Sequence, residues 1–195
     1  MERERRLRAT VWLVATLNAA YFGVEFAVAL TIGSVSLFAD SVDFLEDASV
    51  NLLILLALGW SAHARARVGM LLAGILLVPG LATLWTAWDK LGAPVAPSPV
   101  PLSLAGAGAL AVNLSCALML ARVRHHSGSL TRAAFLSARN DALANIAIIA
   151  AGLMTAFAWR SAWPDLVVGI AIAAMNIDAA REVWTAARSE HAAVA

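Results

Sequence analysis

Residues 33–51 read GSVSLFADSVDFLEDASVN, which places four carboxylates within eight residues of an otherwise apolar segment. On a helix that turns by about 100° per residue, Asp40, Asp43 and Asp47 fall within an arc of about 60°. Each charge at the centre of a bilayer costs at least about 2.5 kcal/mol. Three carboxylates on one face therefore require a partner that neutralises them: a cation, protons or both. This pattern indicates a transport function.

The composition is typical of a polytopic membrane protein. Of the 195 residues, 61% are hydrophobic and only 14% are charged, and the mean hydropathy is +0.77. These values lie far from those of soluble globular domains. The net charge of +1 gives no indication of a nucleic-acid partner, and none is expected.

Six segments are apolar and long enough to cross a bilayer, which takes about 20 residues. They run approximately over residues 10–32, 34–60, 67–88, 102–121, 133–158 and 163–187. Because these spans account for nearly the whole sequence, we expect an all-α bundle of six transmembrane helices. Residues 1–195 should form a single transmembrane domain with no soluble domain.

The arginines predict the orientation of the spans in the membrane. If the spans alternate, one side receives Arg3, Arg5, Arg6, Arg8, Arg65, Arg67, Arg122, Arg124, Arg132, Arg181 and Arg188. The other side has little more than Lys90 and Arg160. Because positive residues concentrate on the cytoplasmic side, both termini should be cytoplasmic. We expect an integral protein of the inner or plasma membrane, in contact with the lipid bilayer.

A second polar cluster lies in the fifth span. Ser137, Asp141 and Asn145 recur at intervals of four residues and so share one stripe of a helix, with Asn140 beside it. In an antiparallel arrangement of spans two and five, a rise of about 1.5 Å per residue brings both clusters near mid-membrane. The two clusters could therefore face each other across one site.

Two glutamates inside the spans have more than one interpretation. Glu25 in span one fits either a protonated acid that bonds a neighbouring helix or a proton-carrying or gating group. Glu46 in span two fits a structural or gating carboxylate as well as it fits a metal ligand.

The residues from Asn18 through Glu25, the segment 33–40 and the pair Asp43 and Asp47 resemble the first two spans of cation diffusion facilitators. The motif Ser137-Ala-Arg-Asn-Asp141 stands where that family has His-x-x-x-Asp in span five. The resemblance covers about residues 10–187, and its most specific part is the motif in span two.

The resemblance implies a cation-efflux-type bundle in which Asp43, Asp47 and Asp141 bind a divalent metal. It also implies that metal leaves the cytoplasm in exchange for protons and that the protein forms a homodimer. Since Ser137 stands where a histidine is usual, the fourth-ligand candidates are Ser137, Asn140, Asn145 and Asp40. The cytoplasmic metal-binding domain that follows span six in the family is expected to be absent.

The metal is expected as substrate rather than as a resident cofactor, and it belongs to the zinc, cobalt, iron or manganese class. An all-oxygen site suits harder ions such as Mn²⁺ or Mg²⁺, whereas zinc favours nitrogen and sulfur ligands. The missing histidine also fits a membrane subunit or scaffold that has the fold without transport. An enzyme is not expected, because the sequence has no His-Glu-x-x-His motif and no nucleophile–base pair.

Overall fold

The computed structural model describes residues 2–57, 81–123 and 129–194, and every regular element in these ranges is an α-helix. The helices are α1 (Glu2–Ile32), α2 (Val35–Ala57), α3 (residues 81–92), α4 (Pro99–Val123), α5 (Ser129–Phe157) and α6 (Trp163–Val194). The all-α class is therefore confirmed. Residues 58–80, which include the end of the second predicted span and most of the third, lie outside the described residues.

Some helices are longer than the predicted spans, because a helix continues beyond its apolar part. α1 begins at Glu2 and α6 extends to Val194. α4 begins at Pro99, three residues before the predicted span. A proline inside a helix usually breaks it. Proline is tolerated in the first turn because its missing N–H would have no acceptor there. The Ser98 carbonyl accepts the first helical hydrogen bond, from Leu102 N at 3.2 Å.

A two-residue turn reverses the chain between α1 and α2. Gly33 has a φ of 63°, and the Ser34 N–H donates to the Ala29 carbonyl at 3.0 Å. This is the Schellman arrangement, in which a glycine in the left-handed region ends a helix. Ser34 then caps α2, since its Oγ accepts the Leu37 N–H at 3.2 Å. The glycine and the serine therefore set the antiparallel packing of α1 on α2.

In the described part of the chain, α2 packs against α1, α4, α5 and α6, and its Val35 also packs with Ala87 of α3. α4 packs along α5, and α1 also contacts α4. One apolar cluster draws residues from α1, α2, α4, α5 and α6 and consists of Ala29, Leu37, Ala39, Leu102, Ala105, Ile148 and Ile172. The helix that carries Asp40, Asp43, Glu46 and Asp47 is thus an interior helix of the described bundle.

The polarity of the described helices is that of a membrane protein. Polar side chains such as Asn18, Glu25 and Asp40 are fully buried, whereas large apolar side chains such as Leu104 and Leu143 are exposed. Among the described residues, two helical segments are long and apolar enough to cross a membrane, Arg5–Ile32 and Pro99–Arg122, and Asp141–Phe157 is a shorter apolar segment. α2 is also largely apolar, but it has four carboxylates within eight residues.

The tryptophans lie on the outside of the described structure, as an interfacial belt requires. Exposed ones are Trp12, Trp85, Trp88, Trp159, Trp163 and Trp184. The seventh, Trp60, lies outside the described residues.

Candidate functional site

The first turn of α2 is fixed by a carboxylate from another helix. Asp165, in the first turn of α6, is fully buried and accepts hydrogen bonds from Ser34 Oγ and Ser36 Oγ, each at 2.6 Å. It also accepts the backbone N–H groups of Val35 at 2.9 Å and Ser36 at 3.1 Å. Helix N-termini favour a negative charge because their first N–H groups have no partner within the helix. Asp165 thus anchors the helix that presents the carboxylate cluster.

Lys90 completes this arrangement from α3. Its Nζ lies 3.0 Å from Asp165 Oδ2 and also donates to the Gly33 carbonyl. Its side chain is only 10% exposed, so the ion pair is screened little by solvent. Residues from α2, α3 and α6 therefore converge on one charge pair, which we call the Asp165 clamp (Asp165, Lys90, Ser34 and Ser36).

Asp43 lies two turns further along α2 and is half-buried. Among its charged neighbours, Asp141 of α5 exerts the largest electrostatic effect, followed by Asp40, Glu46 and Asp47 of its own helix. No basic side chain of the described residues pairs with Asp43. The structure therefore brings α2 and α5 together at the two predicted clusters, and it concentrates negative charge there.

Asp47 and Asp141 are also half-buried, and both act electrostatically on the buried thiol of Cys116 in α4. The two carboxylates thus lie within electrostatic range of the Cys116 thiol. Within the described ranges, no three side chains of the His, Cys, Asp or Glu types lie close enough together to hold one metal ion. The carboxylates of Asp43, Asp47 and Asp141 would have to move towards each other to bind one.

Asn145 and Asp40 belong to a different, fully buried group. Asn145 Nδ2 donates to Asp40 Oδ2 at 2.5 Å, and Asn145 Oδ1 accepts from Asn113 Nδ2 at 3.0 Å. The three side chains are at most 2% exposed. Both ends of the Asn145 amide are thus used in a line of hydrogen bonds from α4 through α5 to α2.

Glu25 extends that line to α1. It is fully buried, and its carboxyl group lies within hydrogen-bonding reach of Asp40. Glu46 is half-buried next to Asp47, which acts on it electrostatically. The side chains of the remaining candidates, Ser137 and Asn140, lie outside the described part of the structure.

Sequence reasoning missed two partners in these networks. The sequence gives no specific partner for Asn113, and it places Lys90 only among the few charges on the side opposite the arginines. Both make contacts with residues 32 or more positions away, at Asn145 and Asp165. Such partners are identified only when the pairing of the helices is known. For Lys90, its place as a lone lysine beside the end of a predicted span could have suggested an ion pair.

Comparison with known families gives one match. The model of the cation efflux transmembrane domain matches residues 11–189 of the 195-residue chain. A comparison with curated proteins finds no match.

Proposed function

Because the chain belongs to the cation efflux family, we propose that it exports a divalent metal cation from the cytoplasm in exchange for protons. The family establishes an integral membrane protein of metal cation transport. The observation that carries the finer proposal is the packing of α5 on α2, in which Asp141 of α5 is the charged neighbour with the largest electrostatic effect on Asp43 of α2.

The ligands in this proposal are Asp43, Asp47 and Asp141. A dication between these three carboxylates relieves their mutual repulsion. The favourable electrostatic free energy is larger in a membrane interior than in water, because the dielectric constant is lower. Metal entry should therefore draw α2 and α5 together.

The fourth ligand should come from Ser137 or Asn140. Asn145 and Asp40 are less suitable because they already bond to each other, and Asn145 also binds Asn113. A site made of three carboxylates and one hydroxyl or amide oxygen suits Mn²⁺ or Mg²⁺, while Zn²⁺, Co²⁺ and Fe²⁺ also bind carboxylate oxygens. We expect weaker zinc binding than in family members that have the histidine.

Proton exchange follows from the chemistry of carboxylates. A carboxylate must lose its proton to bind a metal, so metal binding releases protons and protonation expels metal. Moving one positive charge outward against an inside-negative potential of about 100 mV costs about 2.3 kcal/mol. Inward proton movement can supply that free energy.

The family resemblance also implies a homodimer in the membrane. Single-molecule photobleaching of labelled protein in bilayers should show two bleaching steps. A population with one step at all protein densities would contradict the dimer.

The transport proposal is tested with purified protein in proteoliposomes. Wild-type protein should move metal in a series of Zn²⁺, Co²⁺, Mn²⁺ and Mg²⁺, whereas Asp43→Asn should move none. The matched control is Asp178→Asn in α6, an exposed carboxylate 3.8 Å from Arg181, which should transport like wild type. Metal binding without any transport in wild-type protein would favour the scaffold.

A further inference from the structure

Glu25 is a buried carboxyl group that the metal site does not use. It is 0% exposed, and neither Oε1 nor Oε2 has a hydrogen-bond partner among the described residues. Burial of an ionised carboxylate without a partner is among the most costly arrangements in a protein. Some positive charge must therefore accompany Glu25.

The neighbour of Glu25 is a second buried carboxyl group. Asp40 is also 0% exposed, and its Oδ1 lacks a donor within the described structure, while its Oδ2 accepts from Asn145. The two carboxyl groups lie within hydrogen-bonding reach of each other. When both are ionised they have only acceptor oxygens. One proton converts this repulsive contact into a hydrogen bond.

The surrounding groups of the described residues do not supply the charge. Among them, Tyr21 of α1 and Asp43 of α2 are titratable groups that act on the pair. The Tyr21 hydroxyl donates to the Ala105 carbonyl at 2.7 Å, so its proton is already used. Asn145 from α5 and Asn113 from α4 are uncharged, and no lysine, arginine or histidine of the described residues pairs with either carboxyl group.

The geometry fits a proton better than a metal ion. Three oxygens without donors are available, namely Glu25 Oε1, Glu25 Oε2 and Asp40 Oδ1. Zinc takes four ligands, and magnesium and calcium take six or more. A proton needs only one oxygen on each side, which the two carboxyl groups provide.

We propose that Glu25 and Asp40 bind one proton between them, at a site separate from the metal carboxylates. Its role in transport rests on the metal/proton exchange proposed above. Asp40 lies one turn before Asp43 on α2, so a dication at Asp43 repels the proton at Glu25 and Asp40. The pair then releases its proton when metal binds and takes one up when metal leaves.

The first test is infrared spectroscopy of the full chain in lipid bilayers without metal. Wild-type protein should show the C=O stretch of a protonated carboxyl group that disappears as the pH rises. Glu25→Gln should lose this band, because glutamine has the size of glutamate and donates an N–H to Asp40 in place of the proton. Asp40→Asn should also lose the band. Asp43→Asn should retain the band, and the double variant Asp43→Asn with Glu25→Gln should lose it.

The second test is calorimetry of metal binding in buffers of different ionisation enthalpy, which counts released protons. Glu25→Gln should still bind Mn²⁺ or Zn²⁺ but release fewer protons than wild type. Unchanged infrared bands in both Glu25→Gln and Asp40→Asn would overturn the proposal. So would loss of metal binding in Glu25→Gln with a wild-type melting temperature, because Glu25 would then be a metal ligand.

These outcomes separate the two proposals. If wild-type protein moves no metal but Glu25→Gln removes the band, the transport function fails and the proton site stands. If wild-type protein exchanges metal for protons without a Glu25-dependent band, the transport function stands and the proton site fails.

Discussion

At the scale of single residues, we expect Ser137 to set the metal preference of the proposed site. It lies one turn before Asp141 in α5, at the position where the resemblance predicts a histidine. The proposed site therefore consists of oxygen atoms alone, and such sites discriminate less in favour of zinc. Asn145 is a less suitable fourth ligand than Ser137, because its side chain is already hydrogen-bonded to Asp40 and Asn113.

Replacing Ser137 with histidine should raise the affinity for Zn²⁺ relative to Mn²⁺, since imidazole suits zinc better than manganese. Second-shell and ligand changes at metal sites typically alter affinity by about 10–100-fold, and we expect a gain in zinc selectivity of about 10-fold. Competition calorimetry of Zn²⁺ against Mn²⁺ measures it, with Ser137→Ala as the control. A selectivity equal to that of Ser137→Ala would show that this position lies outside the coordination sphere.

At the scale of elements, the Asp165 clamp connects the first turn of α2 with α3 and α6. Asp165 accepts four hydrogen bonds from the Ser34–Ser36 segment and one from Lys90, and it is fully buried. Removal of one member of a buried ion pair costs about 3–5 kcal/mol, because the other charge remains buried. Lys90→Met leaves Asp165 with four donors, so it should cost less than Asp165→Ala.

A double-mutant cycle on Lys90→Met and Asp165→Ala tests this clamp through thermal or denaturant unfolding in detergent. We expect a coupling free energy of about 1–3 kcal/mol, in the range for residues in direct contact. Asp178→Ala is the control, since its exposed pair with Arg181 contributes about 0–1 kcal/mol. Strictly additive free energies for Lys90 and Asp165 would contradict the clamp.

The packing of α6 on α2 depends on a glycine. A Cβ atom at Gly169 would lie 2.7 Å from Val35 Cγ1 and 2.8 Å from the Ser36 backbone nitrogen. Gly169→Ala should therefore push α6 away from the clamp and lower the free energy of unfolding by about 1–3 kcal/mol.

Gly23 in α1 provides the matched comparison, because no atom lies within 4 Å of a Cβ at that position. Gly23→Ala should be neutral or stabilising by about 0.5–1 kcal/mol, as expected for glycine replaced within a helix. Equal melting temperatures for the two variants would show that α6 and α2 do not pack this closely.

At the scale of the whole molecule, apolar length and periodicity predicted the helices, because a span must satisfy its own backbone hydrogen bonds in lipid. The sequence also identified the carboxylate cluster of α2 and the polar cluster around Asp141 in α5, since polar and charged residues within apolar spans are conspicuous. It could not identify which buried groups touch. The bonds from Asn113 to Asn145 and from Lys90 to Asp165 depend on helix pairing and rotation, and neither follows from spacing along one helix.

The orientation of the molecule remains a prediction from the arginines. In a variant with Cys116 replaced by alanine, a cysteine at Ser98 should react with an impermeant maleimide from outside the cell. A cysteine at Ser127 should react only from the cytoplasmic side. Ser98 is exposed in the short connection before α4. If the cysteine at this position reacts from neither side, the maleimide cannot reach it, and the result does not indicate a reversed orientation. Reversed reactivity of both positions would contradict cytoplasmic termini.

The most direct test of the account is the simultaneous measurement of metal and proton fluxes in proteoliposomes, with and without a proton ionophore. The account predicts that an imposed pH gradient drives metal uphill in the opposite direction to protons, and that the ionophore abolishes this accumulation. Asp43→Asn should abolish both fluxes together. Metal movement that is unchanged when the pH gradient is collapsed would contradict metal/proton exchange.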